Sequence, residues 1–276
     1  MSSRIARKFE ELKARDERAL IAYITAGDPT PSRTVSLVLA LERAGADIIE
    51  LGVPFSDPIA DGPVIQCAAE RALKAGTTVA GILEMARRIR QHSQIPLLLF
   101  TYLNPALRYG FERLAEEAKE AGIDGCLLTD LSVEEAGNYV ESMRAFGLDT
   151  VFLAAPTSTP RRLELVARYS TGFVYLVSRT GVTGERDQVP ATVTDMIASL
   201  RQQTDKPIAV GFGVSRREHV AALREDADGI IVGSAIVRLI GEYADSPDLE
   251  DRLENLVRDL KQGTHAPGNA AEVAVP

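Results

Sequence analysis

Short runs of apolar, β-compatible residues recur along the chain: Leu20–Thr25, Ile48–Leu51, Leu97–Thr101, Cys126–Thr129, Thr150–Leu153, Phe173–Val177, Ile208–Val210 and Ile230–Val232. Between them, apolar residues return at helical spacing, near 32–44, 63–74, 78–92, 111–121, 133–146, 160–169, 191–203, 216–224 and 235–242. A helix over 4–15 precedes the first strand, with Ile5, Phe9 and Leu12 on one stripe, and another fits 248–262. Strands that are apolar throughout belong to sheets covered on both faces. The alternation predicts an α/β fold: one (β/α)8 TIM barrel over residues 1–262 with an extra N-terminal helix. An open doubly wound sheet is the competitor, but no Gly-x-Gly-x-x-Gly follows the first strand. The stretch 263–276, rich in Gly, Pro and Ala, reads as a frayed or disordered tail.

Local chemistry marks the same boundaries. Thr30-Pro31, Thr159-Pro160 and Ser246-Pro247 each set a cap residue before a first-turn proline. Ser132-x-x-Glu135 and Ser215-x-x-Glu218 are capping-box patterns. Gly45, Gly122 and Gly147 each precede an x-Asp pair between a helix and the next strand, where a left-handed residue ends the helix.

Into this pattern one residue does not fit. Glu50 sits near the end of the apolar run Ile48-Ile-Glu-Leu51. A carboxylate there is costly unless it is paired, hydrogen-bonded or used. A loop rich in Gly, Pro, Ser and Asp follows and carries a second acid, Asp61. Two carboxylates at a strand exit and on its loop are able to converge on one small molecule. The plainer alternative makes Glu50 a neutralised core acid and Asp61 a turn residue.

Barrel sites lie at the C-terminal strand ends. Strands 7 and 8 exit as Gly211-Phe212-Gly213 and Gly233-Ser234, where backbone N–H groups and a helix N-terminus favour phosphate. Gly184, from the loop after strand 6, is expected to add a donor. That loop, with Arg179, Gly181, Thr183 and several charges, has the composition of a lid. For Arg179, both loop 2 and the phosphate are open as targets. Tyr23, Phe100, Leu128, Leu153, Tyr175 and Phe212 lie at or beside strand ends and outline an apolar slot, although aromatics at such positions are often plain core. Asp28 and Asp130 also stand at exits, and each has a second reading as a cap or turn residue.

Composition narrows the classes. At 45% hydrophobic, the 276 residues suffice for a sizeable core. A net charge of −8 argues against a nucleic-acid surface, and three scattered histidines argue against a histidine metal site. Two cysteines without metal-like spacing, no signal-type start and no apolar run of membrane length fit a cytoplasmic protein.

The stretch from Ile49 to Gly62, continuing through Pro63-Val-Ile-Gln66 and Arg71-Ala-Leu, resembles the tryptophan synthase alpha chain family. So do Tyr23–Pro29, Thr101–Pro105, Ser178–Gly184 and Gly211–Gly213, and the similarity runs from about residue 4 to about 262. The resemblance implies a lyase cleaving indole-3-glycerol phosphate to indole and glyceraldehyde 3-phosphate. It implies no metal and no cofactor on this chain. It implies a β-chain partner that carries pyridoxal phosphate and receives indole through a tunnel, in an α2β2 complex. It assigns catalysis to Glu50 and Asp61, the substrate pocket to Phe100 and Tyr175, and phosphate to Phe212, Gly213, Gly184, Gly233 and Ser234; Tyr23 and Phe212 as substrate-binding residues and Gly211 as a phosphate glycine come from their strand-end positions. It places Asp57 and Asp130 toward the partner. Where that family commonly has proline, this chain has Ser132. A buried Glu50 is expected to have a raised pKa suited to both donating and accepting a proton, and Asp61 to stay ionised beside the indole N–H. Other phosphate-binding barrel enzymes, and an idle subunit that only activates its partner, are the rival functions.

Overall fold

The computed structural model describes residues 3–177, 191–211 and 213–266. The chain runs α1 (Arg4–Ala14), β1 (Ala19–Thr25), α2 (Thr34–Arg43), β2 (Ile48–Gly52), α3 (Pro63–Lys74), α4 (Val79–Arg90), β3 (Leu97–Thr101), α5 (Leu103–Tyr109), α6 (Phe111–Glu120) and β4 (Gly125–Leu128). It continues α7 (Gly137–Ala145), β5 (Asp149–Ala154), α8 (Pro160–Tyr169), β6 (Val174–Val177), α9 (Ala191–Arg201), β7 (Ile208–Gly211), α10 (Arg217–Leu223), β8 (Gly229–Val232), α11 (Ser234–Glu242) and α12 (Leu249–Gln262). Each strand pairs in parallel with its sequence neighbours, and β8 closes on β1, so the sheet is the expected eight-stranded barrel.

Period-two alternation sorts the strand residues into two cores. Ile21, Ile48, Leu98, Leu127, Val151, Phe173 and Ile231 cluster inside the barrel. Leu20, Ile49, Leu51, Leu97 and Leu99 face out, into the layer beneath the helices. Helix α1 belongs to the inner cluster. Its cap Ser3 accepts from the Ala6 N–H at 3.1 Å, and its stripe of Ile5, Phe9 and Leu12 packs under the strand starts, with the Phe9 and Phe173 rings 5.8 Å apart. The stripe thus plugs the barrel floor.

The floor also shows what the Gly-x-Asp turns at Asp47 and Asp124 do. Gly45, Gly122 and Gly147 adopt φ 104°, 82° and 66°, the left-handed region that glycine tolerates. The aspartates Asp47 and Asp124, together with Asp228, each accept an N–H at the start of the preceding strand, from Leu20, Leu97 and Ile208, all at 2.8 Å. Each carboxylate ties two adjacent strands at their starts and leaves their far ends open for chemistry.

Some boundary expectations need correction. Thr159 caps α8 as expected, accepting from Arg162 N–H at 3.3 Å. Thr30 forms no side-chain cap bond and opens a 3-10 turn, Pro31–Arg33, before α2. Ser132 bonds Glu134, not the helix N–H groups, and the expected helix over 133–146 splits into a 3-10 turn, Val133–Glu135, and α7. Ser246 bonds Asp248, which becomes the N-cap residue of α12 and leaves Pro247 outside its first turn. Ser215 does not cap either; α10 starts at Arg217. For Ser132 and Ser246 a carboxylate two residues away is the nearer partner for the hydroxyl, and local side-chain bonds compete with capping. Helix α5 was not expected: Asn104-Pro105 reads as a loop, yet Pro105 occupies the first turn, where its missing N–H costs nothing. Gly110, at φ 88°, turns α5 directly into α6.

Packing continues past residue 262. Thr264 is fully buried, and its carbonyl accepts from Arg18 N–H at 3.3 Å. Residues 267–276 lie outside the described residues. Among the described residues, no helix is long and apolar enough to cross a membrane.

Candidate active site

Glu50 is the last inward-facing residue of β2 before Gly52. It pairs in register with Tyr23 of β1 and Leu98 of β3. Its exposure is 0%, and neither carboxylate oxygen meets a hydrogen-bond partner among the described residues. Burial alone drives its pKa from the ordinary 4.5 up to about 8. The side chain is therefore a neutral acid at pH 7, as a desolvated carboxyl must be. A core acid retained only for packing would be expected to have a partner.

Asp61 reaches the same cavity from loop 2. Its backbone N–H donates to Pro58 O at 3.1 Å, and its carbonyl accepts from Gln66 Nε2 at 2.8 Å. Those two bonds fix the bend that presents the carboxylate. Burial raises its pKa to about 6, while a hydrogen bond from the Tyr102 hydroxyl pulls it back down. The phenols of Tyr23 and Tyr175 measure where the two acids point. Both are pushed well up, first by burial, and both also feel the charges of Glu50 and Asp61. The two carboxyls thus lie close to the same two phenols, between walls that come from β1, β3 and β6.

Those walls are aromatic. The Tyr23 and Phe100 rings meet edge to face at 5.2 Å, and Phe100 and Tyr175 lie tilted at 6.4 Å. Glycines make room for the phenols. A Cβ on Gly52 would collide with the Tyr23 hydroxyl, and one on Gly211 would lie 2.8 Å from the Tyr175 ring. Gly211, expected among the phosphate glycines, therefore has a steric reason of its own. Leu128 and Leu153 split: Leu153 packs with the inner cluster, whereas Leu128 faces the helices.

At the exits of β7 and β8 stand the other two described glycines of the expected phosphate site. Gly213 has φ 43°, in the left-handed region that bends the chain after β7. Gly233 is the N-cap residue of α11 and Ser234 its first residue; no side chain caps that helix. Its first-turn N–H groups and dipole suit an anion. Phe212, Arg179, Gly181, Thr183 and Gly184 lie outside the described residues.

Tyr102 is the neighbour of Asp61 that the sequence reading did not single out. It is 3% exposed, its ring lies 5.2 Å from that of Phe55, and its hydroxyl accepts from Ala60 N–H at 3.1 Å while donating to Asp61. Its place directly after a strand end was the available signal. The remaining exit acids separate. Asp28 is buried and turned toward Arg71. Asp57 is exposed and accepts from Ser56 Oγ at 2.6 Å. Asp130 is exposed and accepts from Leu103 N–H at 2.6 Å, so it caps α5 from the neighbouring loop. Among the described residues, no cluster of His, Cys, Asp and Glu is suited to hold a metal ion.

Comparison with known proteins meets this geometry. The profile of the tryptophan synthase alpha chain family matches residues 9–265. The chain belongs to the tryptophan synthase alpha chain family. A tryptophan synthase alpha chain from Solibacter usitatus is 66% identical over 261 residues, covering 95% of this chain and 98% of the relative. The tryptophan synthase alpha chain of Geobacter sulfurreducens is 50% identical, covering 87% of this chain and 91% of its own length. Among solved structures, tryptophan synthase subunit alpha from Legionella pneumophila superposes with a TM-score of 0.89 at 37% identity, covering 96% of this chain and 99% of that one. A chain of Mycobacterium tuberculosis tryptophan synthase gives 0.89 at 36% identity, covering 97% and 100%. The closed eight-stranded barrel is the fold of these alpha chains.

Ser132, where the resemblance expects proline, departs mildly in backbone terms. Ser132 adopts φ −61°, within the range a proline ring would impose. Serine keeps the turn without the ring.

Proposed function

We propose that this chain cleaves indole-3-glycerol phosphate to indole and glyceraldehyde 3-phosphate, the lyase activity of its family, with Glu50 and Asp61 as the working acids. One observation carries the assignment of roles: two carboxyls with separated proton affinities, about 8 and about 6, stand beside the same aromatic side chains, Tyr23 and Tyr175. Paired acids whose environments push them apart divide acid and base duties.

Glu50, protonated at neutral pH, donates to indole C3. The ring becomes an iminium, and the ionised Asp61 accepts a hydrogen bond from its N–H and stabilises the positive charge. The Glu50 carboxylate then takes the proton from the glycerol hydroxyl next to the ring. As the carbonyl of glyceraldehyde 3-phosphate forms, the carbon–carbon bond breaks and its electrons return to the ring, releasing indole. Glu50 ends as it began. Tyr23, Phe100 and Tyr175 hold the flat ring in a near-attack position. Gly213, Gly233 and Ser234 take the phosphate, with Gly211 shaping the wall beneath Tyr175. The parts given to Phe212, Gly184, Arg179, Gly181 and Thr183 rest on sequence alone.

The family works with the β chain of tryptophan synthase. We place that partner, which carries the pyridoxal phosphate and forms an α2β2 complex, on the rim around Asp57 and Asp130. Ile59 there is 79% exposed and Leu107, on α5, 55%. A cleft of about 310 Å³ between loop 2 and α3, lined by Phe55, Asp57, Ile59 and Leu73 among others, adds relief to that face. Large apolar side chains left in water on one rim mark a docking surface. The functional unit in this assignment is one barrel domain in the cytoplasm, with Cys67 and Cys126 as free thiols.

The test is indole release from indole-3-glycerol phosphate by the purified chain, with and without the β chain. Glu50→Gln and Asp61→Asn are each expected to retain substrate binding and lose roughly 10²–10⁴-fold in turnover. Turnover retained in Glu50→Gln would reject its assigned role.

A further inference from the structure

Beside these walls, three elements meet at one ion pair, buried at its aspartate and 36% exposed at its arginine side chain. Asp28, from the loop after β1, is 2% exposed. Arg71 of α3 grips it with both arms, Nε to Oδ1 at 2.7 Å and Nη2 to Oδ2 at 2.9 Å. The same guanidinium lies against α11 at Gly241, where a Cβ would come within 2.8 Å of Nη2. The loop that offers Asp28 is itself fixed, with Gly27 N–H donating to Thr34 Oγ1 at 2.9 Å. Between this pair and the cavity, Ile65 and Ala68 of α3 pack on Val237 of α11 and on Tyr23.

The two helices begin at the two ends of the site. Helix α3 starts two residues after Asp61, and α11 starts at Ser234. We propose that the Asp28–Arg71 pair, wedged against Gly241, is a positioning clasp that sets the distance between the indole-binding acid Asp61 and the phosphate-binding start of α11. This rests on the proposed function and deepens it. A bidentate arginine fork fixes orientation as well as distance, which a lysine cannot reproduce. The clasp acts on a ligand that spans both ends. A ligand that occupies one end does not sense the spacing.

That difference supplies the test. The full-length chain is assayed for indole release from indole-3-glycerol phosphate, and for binding of glyceraldehyde 3-phosphate and of indole separately. Arg71→Lys and Asp28→Asn are expected to lower kcat/KM for the spanning substrate about tenfold or more, because small misplacements are costly in such sites. Affinity for each fragment alone is expected to stay at the wild-type level. Gly241→Ala pushes on the same guanidinium from the other side and replaces a poor helix former with a good one. It is expected to give the same split without loss of thermal stability, and to add nothing further in an Arg71→Ala background. Equal weakening of all three ligands, or unchanged kcat/KM in Arg71→Lys and Gly241→Ala, would overturn the clasp. A wild-type chain that releases no indole would overturn the proposed function and the clasp together.

Discussion

Replacing Glu50 with Gln should make the protein more stable as pH rises relative to wild type, while removing most of its turnover. In the wild type the carboxyl is fully buried, has no hydrogen-bond partner among the described residues, and has its pKa moved from 4.5 to about 8. A carboxyl whose folded pKa lies above its unfolded value holds its proton longer in the folded state. Its favourable contribution is complete below pH 4.5 and is lost as pH climbs through about 8. Within that window one proton separates the folded and unfolded states, so each pH unit removes ~1.4 kcal/mol. Between about pH 5 and pH 7, wild type should lose ~2.7 kcal/mol relative to the glutamine variant, roughly 5 °C in midpoint. Every other titrating group is common to both proteins and cancels in the difference. Urea unfolding of the two proteins at half-unit pH steps would trace the curve. A difference that stays flat from about pH 5 to pH 8 would mean that Glu50 is ionised in the folded chain. The acid role assigned to it would then fail.

Other outcomes follow from the same site. The pH profile of kcat/KM for indole release should rise through about 6 as Asp61 ionises and fall through about 8 as Glu50 loses its proton; Asp61→Asn should erase the acidic limb, and a profile unchanged by that substitution would contradict the assignment. Tyr102→Phe removes the donor that lowers the Asp61 pKa, so the acidic limb should move to higher pH, with a loss of roughly 5- to 10-fold in kcat/KM from one missing hydrogen bond. Ser132→Pro should raise stability by about 0.4–1 kcal/mol, since φ is already −61° and the ring restricts only the unfolded chain; destabilisation in a urea titration would show that the backbone there does not accept proline.

Much of the fold was legible because barrel strands are apolar throughout and short, and the helices between them keep their period. Ile48-Ile-Glu-Leu51 shows the benefit for the site as well: in a run where every neighbour is buried, one carboxyl stands out without any structure. Tyr102 had no such contrast. Its partners, Ala60 N–H and the Asp61 carboxylate, are some forty residues away in sequence, and only the closing of β2 on β3 brings them together. Asp130 is similar, since it caps a helix that its own loop does not precede. The capping patterns at Ser132 and Ser246 failed for a local reason, a nearby carboxylate that took the hydroxyl. The glycines before Asp47 and Asp124 were readable as helix ends, but the bonds from those aspartates to Leu20 and Leu97 are tertiary and left no trace in the spacing.

The helix beneath the strands has a consequence for traffic. With Ile5, Phe9 and Leu12 stoppering the base, the described residues leave the C-terminal strand ends as the way in. Substrate must arrive, and a small uncharged product must depart, across the rim that carries Ile59 and Leu107. Whatever protein covers that rim becomes the gatekeeper for everything the cavity makes.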